Sequence, residues 1–319
     1  MIWVIGDIHG MFDPLKSLIT KIIALSLRSK NRNIDKFIFI GDYIDYGPSS
    51  KEVIDYLMDL PFEKVFIMGN HDDLMLQFLD KSDLFEKYGN VWFRGNGGQK
   101  TVSSFFPDKY YFDSEEDILR EDFPLDEKYI SFFKNMKITH TEQLGNWNLA
   151  FSHAMLSPKF PIEEQLSIKT YHDFHNWRKE KKLWIEDTLM WSRDEPEKRF
   201  GDYILVHGHL PTPKLDRSWK NLHEYDPKME MPFLKFETEA KPVSFYSKYS
   251  DIYGYTSTAD KLISINTDTG AVYGNRLTAV GISEEMFDYS QIMVYQVAVS
   301  KGYRLSEYSY SYAITFHGF

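Results

Sequence analysis

Cysteine is absent from all 319 residues. That excludes disulfides and thiolate metal sites, so any metal would be held by oxygen and nitrogen. No apolar stretch approaches the roughly 20 residues that a membrane-spanning helix needs. The opening "MIWVIGD" is a strand-like run, with no basic region leading to a cleavage site. These two absences predict a soluble, cytoplasmic protein. Basic blocks are missing too: 37 Lys and Arg stand against 47 Asp and Glu, a formal net charge of −10. An extended nucleic-acid surface held by phosphate contacts is therefore not expected. Repeats and low-complexity tracts do not occur.

What is present is ample material for a core, with 43% hydrophobic and 16% aromatic residues. The first 80 residues alternate in type. Strand-like "IWVIGD", "KFIFIGD" and "KVFIMGN" are followed by helix-periodic segments around 13–28, in "SSKEVIDYLMDL" and in "DDLMLQFL". Ser49 or Ser50 is positioned to cap the second helix. Strands and helices at this pitch predict βαβ units. Residues 84–136 read as helical and polar, with "DSEEDILRED" as a solvated acidic surface. "NWNLAFSHA" and "DYILVHGH" read as strands ending in histidine. Residues 214–259, rich in Pro, Tyr, Ser and charge, read as an inserted loop, either a substrate-shaping lid or a decoration. Strands follow in "KLISINTD", "AVYGNRLTAVGI", "SQIMVYQVAVS" and "YRLSEYSYSYAITF". In the last, Tyr308, Tyr310 and Tyr312 would share one face.

The polar residues at the strand ends form a set. Asp7 and His9 come from "GDIHG", Asp42 and Asp45 from "GDYIDYGP", Asn70 and His71 from "GNHDD", His153 from "FSHA", and His209 from "HGH". Ligands of open α/β sheets bind outside the carboxyl ends of the strands, so these clusters should converge. Buried carboxylates and imidazoles with no lysine nearby need a cation. Divalent Mn, Fe, Zn or Co suits such donors, and a central carboxylate can bridge two ions.

These motifs, with "WFRGNGGQKTVSSF", "LMWSRDEP" and "NTDTGAVYGNRLTAV", resemble the calcineurin-like metallophosphoesterases. The resemblance is to the bacterial and phage branch of the phosphoprotein phosphatases and to the related symmetrical diadenosine tetraphosphatases. It runs over about residues 2–280. It implies an α/β fold, an α+β sandwich of four layers with two central mixed β-sheets flanked by helices. One catalytic domain would span 1–319, with the insertion at 214–259.

The resemblance also implies a dinuclear centre, manganese first, with Fe, Zn, Co or Ni as alternatives. Asp7, His9 and bridging Asp42 would hold one ion; Asp42, Asn70, His153 and His209 would hold the other. His207 is the neighbour that could replace His209. His71, oriented by Asp45, would be the general acid, and a metal-bound hydroxide would attack phosphorus in line. Two dications against two carboxylates leave about two positive charges for a phosphate dianion.

Tyr46 departs from the family pattern, which places an arginine there to grip phosphate. Arg193 matches the family's second arginine. Arg94 is either a surface residue or a further phosphate ligand. A tyrosine offers one neutral donor and a flat apolar body, which suits an aromatic substrate. The leading expectation is hydrolysis of phosphomonoesters, on a phosphorylated protein or peptide or a small phosphoester. The alternatives are a dinucleoside polyphosphate hydrolase or nucleotide phosphodiesterase, and a weakened phosphate-binding module.

Overall fold

The computed structural model describes residues 1–28, 33–80, 91–107, 123–194, 200–211, 234–238, 241–245, 253–258, 261–274, 276–284 and 292–299. The predicted βαβ alternation is present: β1 (Ile2–Ile5), α1 (Phe12–Ser26), β2 (Lys36–Phe39), α2 (Ser50–Asp59), β3 (Glu63–Phe66) and α3 (Asn70–Leu79). Helix α1 buries Leu15, Leu18, Ile19 and Ile22, and α2 buries Val53, Ile54 and Leu57. That spacing is what turns one helical face to a sheet. A π-helical turn (Val91–Gly95), α4 (Gly98–Phe105) and α5 (Glu127–Lys134) follow.

β1, β2 and β3 pair in parallel, in register Ile2–Lys36–Glu63. β11 (Arg276–Ile282) lies antiparallel to β1, and β12 (Met293–Ala298) antiparallel to β11. The first sheet is thus ordered β12-β11-β1-β2-β3. The second is ordered β4-β5-β6-β10-β9-β7-β8. Its members are β4 (Thr139–Leu144), β5 (Trp147–Ser152), β6 (Ile204–His207), β7 (Leu234–Thr238), β8 (Lys241–Phe245), β9 (Tyr253–Thr258) and β10 (Lys261–Asn266). Helices α6 (Ile162–Leu166) and α7 (Tyr171–Glu180) connect β5 to β6. Both sheets are mixed and flanked by helices. One apolar core includes Val4, Ile5 and Phe39 of the first sheet and Leu149, Phe151 and Leu205 of the second.

Three sequence readings change. The 214–259 segment is not irregular throughout: β7, β8 and β9 lie within it and extend the second sheet. Proline and charge hide these strands in the sequence, and Pro242 is tolerated because β8 is the edge. Helix α3 starts two residues earlier than its apolar pattern, so Asn70 and His71 form its first turn. Ser49 stands at the α2 N-cap without a side-chain bond. The Ser50 hydroxyl instead accepts the Asp45 N–H at 3.3 Å. The acidic 113–122 stretch and Tyr308, Tyr310 and Tyr312 lie outside the described residues.

Candidate functional site

All the strand-end clusters meet. Asp7 and His9 follow β1, Asp42 and Asp45 follow β2, Asn70 and His71 follow β3, His153 follows β5, and His209 follows β6. The turns are tight: His9, Asp42, Asp45, Tyr46 and His209 all have positive φ, from 47° to 73°. Non-glycine residues in this region are held there at a cost, and they concentrate at functional sites.

Three imidazoles are fixed by backbone carbonyls. His9 Nδ1 is 2.9 Å from the Ile44 oxygen, His153 Nδ1 is 2.8 Å from the Ile40 oxygen, and His209 Nε2 is 3.2 Å from the Trp191 oxygen. A carbonyl only accepts, so each of those nitrogens carries the proton, and in a neutral ring the other turns a lone pair inward. His9 Nε2 and His153 Nε2 lie 3.4 and 3.5 Å from Asp42 Oδ2. His153 Nε2 and His209 Nδ1 each lie 2.9 Å from Asn70 Oδ1. Lone pairs thus face lone pairs, an arrangement that a cation resolves. Asp42 belongs to both groups of clustered donors, one with His9 and His71 and one with His153 and His209. Its Oδ1 accepts the His71 N–H at the start of α3, at 3.0 Å.

The site's charges are strongly shifted, and not all in one sense: Asp42 outweighs burial at His153 and raises its pKa. Burial, with the carboxylates of Asp268 and Asp42, pushes the Asp7 carboxyl well above its usual range. Asp7 Oδ2 accepts the His209 N–H at 3.0 Å, while the buried Oδ1 has no partner. Burial drives His9 down to about 4 and His209 well below its ordinary value. Asp42, despite burial, is held well below the carboxylate range by His153 and His71. Buried oxygen and nitrogen donors of this kind, gathered in two groups that share Asp42, fit divalent metal. Asp7, His9, Asp42, Asn70, His153 and His209 could hold it. His207 stands apart from both groups, its Nδ1 donating to the Gly208 oxygen at 3.2 Å.

His71 Nδ1 is 2.7 Å from Asp45 Oδ2. Burial alone would lower the His71 pKa, but Asp42 and Asp45 outweigh it and raise it. Asp45 is fully buried, and its pKa is raised by that burial against the opposing bonds from His71, Thr101 and Trp92. Neither Thr101 nor Trp92 stood out in the sequence. Asp268, Trp191 and Tyr273 were equally silent, yet all three line the cavity beside the cluster. Asp268 closes the strand-like "KLISINTD", which by itself assigns it no role.

That cavity, of about 140 Å³, is also lined by His9, Asp42, Tyr46, Asn70, His71, Arg193 and His209. The half-buried Tyr46 ring sits 5.2 Å from His9 and 5.2 Å from His71, centre to centre. Burial, and then the nearby Tyr273, push its phenol pKa upward. Arg193 is exposed at the cavity wall, and its charge helps to depress His209. Arg94 has its backbone in the π-helical turn; its side chain lies outside the described residues.

Sequence relatives align with the chain at low identity. The chain is 24% identical over 300 residues to the asymmetrical bis(5'-nucleosyl)-tetraphosphatase of Oceanobacillus iheyensis, covering 89% of each chain. It is 25% identical over 310 residues to the symmetrical bis(5'-nucleosyl)-tetraphosphatase of Legionella pneumophila strain Lens, covering 88% of this chain and 94% of that one. Similarity to serine/threonine-protein phosphatase 2 of Escherichia coli is higher but shorter: 38% over 96 residues, 30% of this chain and 38% of that one. The profile of the calcineurin-like phosphoesterases matches residues 1–239. With metal-binding donors gathered at the strand ends of two mixed sheets, the chain belongs to the calcineurin-like phosphoesterases.

Proposed function

We propose that the protein is a metal-dependent hydrolase of phosphate esters and anhydrides that carry a flat aromatic group, dinucleoside polyphosphates first among them. The observation that carries this reading is the aromatic cavity wall. Tyr46, Trp191 and Tyr273 line one cavity with the metal-binding donors, and Arg193 is the exposed cation of its wall. Flat amphipathic rings suit a nucleobase, and one guanidinium suits a phosphate that the ions also grip. The relatives that align along most of the chain carry tetraphosphatase names. The order of the two enzymatic readings drawn from sequence is therefore reversed.

Asp7, His9 and Asp42 would hold one divalent ion, manganese first, and Asp42, Asn70, His153 and His209 a second. Bound ions of this kind activate a water and polarise phosphoryl oxygens. The chain's own part is positional. Arg193 binds a phosphate oxygen. His71 gives a proton from Nε2 to the leaving oxygen as the phosphorus–oxygen bond breaks and the water oxygen takes its place. Asp45 holds the ring by Nδ1. Neither cysteine nor a covalent enzyme intermediate is needed.

A phosphoprotein substrate is the second reading. It is favoured by the 38% identity over 96 residues to the serine/threonine phosphatase. The deciding assay adds Mn²⁺ and compares diadenosine tetraphosphate, an aryl diester, an aryl monoester and phosphopeptides. The nucleotide reading expects kcat/KM on diadenosine tetraphosphate to exceed that on phosphoserine peptide by roughly ten-fold, the scale of one aromatic contact. Faster turnover of phosphoserine peptide would return the phosphoprotein reading to first place.

A further inference from the structure

Both oxygens of the buried Asp45 carboxylate are engaged. Oδ2 meets His71 Nδ1 at 2.7 Å and also accepts the indole N–H of Trp92 at 2.9 Å. Oδ1 accepts the Thr101 hydroxyl at 2.6 Å, and that hydroxyl in turn accepts the Asp45 N–H at 2.9 Å. Side chain and main chain of Asp45 are thus tied through one hydroxyl. Trp92 and Thr101 come from a single short stretch, the π-helical turn and the start of α4. Between them Gly97, at φ 83°, packs against the neighbour of Asp45: a Cβ there would lie 2.5 Å from the Tyr46 nitrogen.

A buried indole N–H needs an acceptor, and for Trp92 that acceptor is the same oxygen that holds His71. Trp92 does pack, with its ring 4.9 Å from Phe78 and fully buried. The seat is also specific, since a Cβ at Gly98 would come within 2.7 Å of the indole. A carboxylate turns easily about its last torsion. An imidazole that hangs on one of its oxygens would turn with it. Donors on both oxygens remove that freedom.

We propose that Trp92 is a positioning residue for the leaving-group acid, with Thr101 as its counterpart on the other oxygen. Together they set the plane of the Asp45 carboxylate, so that His71 keeps Nδ1 on Asp45 and presents Nε2 to the cavity. This rests on the reading of His71 as the acid, and the test separates the two.

Trp92→Phe keeps the aromatic body and deletes the N–H. In the metal-loaded full chain, turnover of an alkyl phosphate should fall about ten-fold, the worth of one hydrogen bond to a charged group. Turnover of an activated aryl phosphate, which needs little acid help, should fall no more than about two-fold. Metal content should match the parent. The low-field proton resonance of His71 Nδ1–H, recorded on the Zn²⁺-loaded protein, should shift or broaden. Gly98→Ala, which crowds the indole without removing it, should move both readouts in the same direction. Equal losses on the two esters, with the resonance unmoved, overturn the proposal. His71→Asn is the control. If it discriminates between the esters and Trp92→Phe does not, the positioning role alone falls. If His71→Asn fails to discriminate, the acid reading falls, and the resonance by itself decides whether Trp92 orients the ring.

Discussion

Asp72 holds the backbone of Asp42 from behind. Its Oδ2 accepts the Asp42 N–H at 3.0 Å and the Gly69 N–H at 2.9 Å, and its Oδ1 accepts the Tyr43 N–H at 3.2 Å. The side chain is fully buried. One carboxylate thus caps the start of α3 and keeps the β2 loop turned so that Asp42 can adopt φ 52°. Asp72→Ala leaves three buried donors unsatisfied. Urea unfolding should show a loss of about 2–4 kcal/mol, and metal content should fall although no proposed ligand is touched. Unchanged stability would mean that water replaces the carboxylate.

Asp42 is shared by both donor groups, so Asp42→Asn should reduce metal content at both positions together. Asn70→Ala removes an oxygen that faces His153 and His209. It should lower the content by about one ion per chain, on the expectation of a two-ion site. Elemental analysis of the purified variants distinguishes the two patterns, and retention of both ions by Asp42→Asn removes its bridging role.

Arg193 is the guanidinium of the cavity wall among the described residues. Arg193→Ala should cost about 1.5–3 kcal/mol of transition-state stabilisation, read as kcat/KM with metal saturating. Arg94→Ala should do much less. The reverse ranking would move the phosphate grip to the π-helical turn.

Tyr46 is tested by Tyr46→Arg. If the tyrosine merely replaces an arginine, the change should raise kcat/KM about ten- to a hundred-fold on every substrate, in line with one charged hydrogen bond. The aromatic-wall reading expects a gain confined to simple monoesters and a loss on diadenosine tetraphosphate. A uniform gain removes Tyr46 from substrate recognition.

Most of this site could be read from the chain because its donors sit at strand ends, and strand ends are visible in sequence. "GDIHG", "GDYIDYGP" and "GNHDD" each follow an apolar run, so their convergence follows from the βαβ pattern. Partners that reach a site across space leave no such mark. Trp92 and Thr101 touch Asp45 from 47 and 56 residues away, and nothing in "WFRGNGGQKT" says which side chain turns inward. Asp72 heads the helix-periodic "DDLMLQFL", where an acid in the first turn needs no special role. The strands β7 to β9 were hidden for a different reason. "LKFET" and "KPVSF" carry lysine, glutamate and proline, which blur the alternation that marks a strand.

The donors also differ in which sheet carries them. Asp7, His9, Asp42 and Asn70 extend from strands of the first sheet, whereas His153 and His209 extend from the second. An ion held between Asn70 and those two histidines would therefore cross-link the two sheets, as a disulfide does in chains that have cysteines. Bound only by the folded form, it would add about 2.7 kcal/mol at a hundred times its dissociation constant. Chelation should accordingly lower the melting temperature. His209→Ala should shrink that drop, because the second sheet would have lost one of its two holds on the ion. A melting temperature indifferent to chelator would show that the sheets stay docked without help from the chemistry between them.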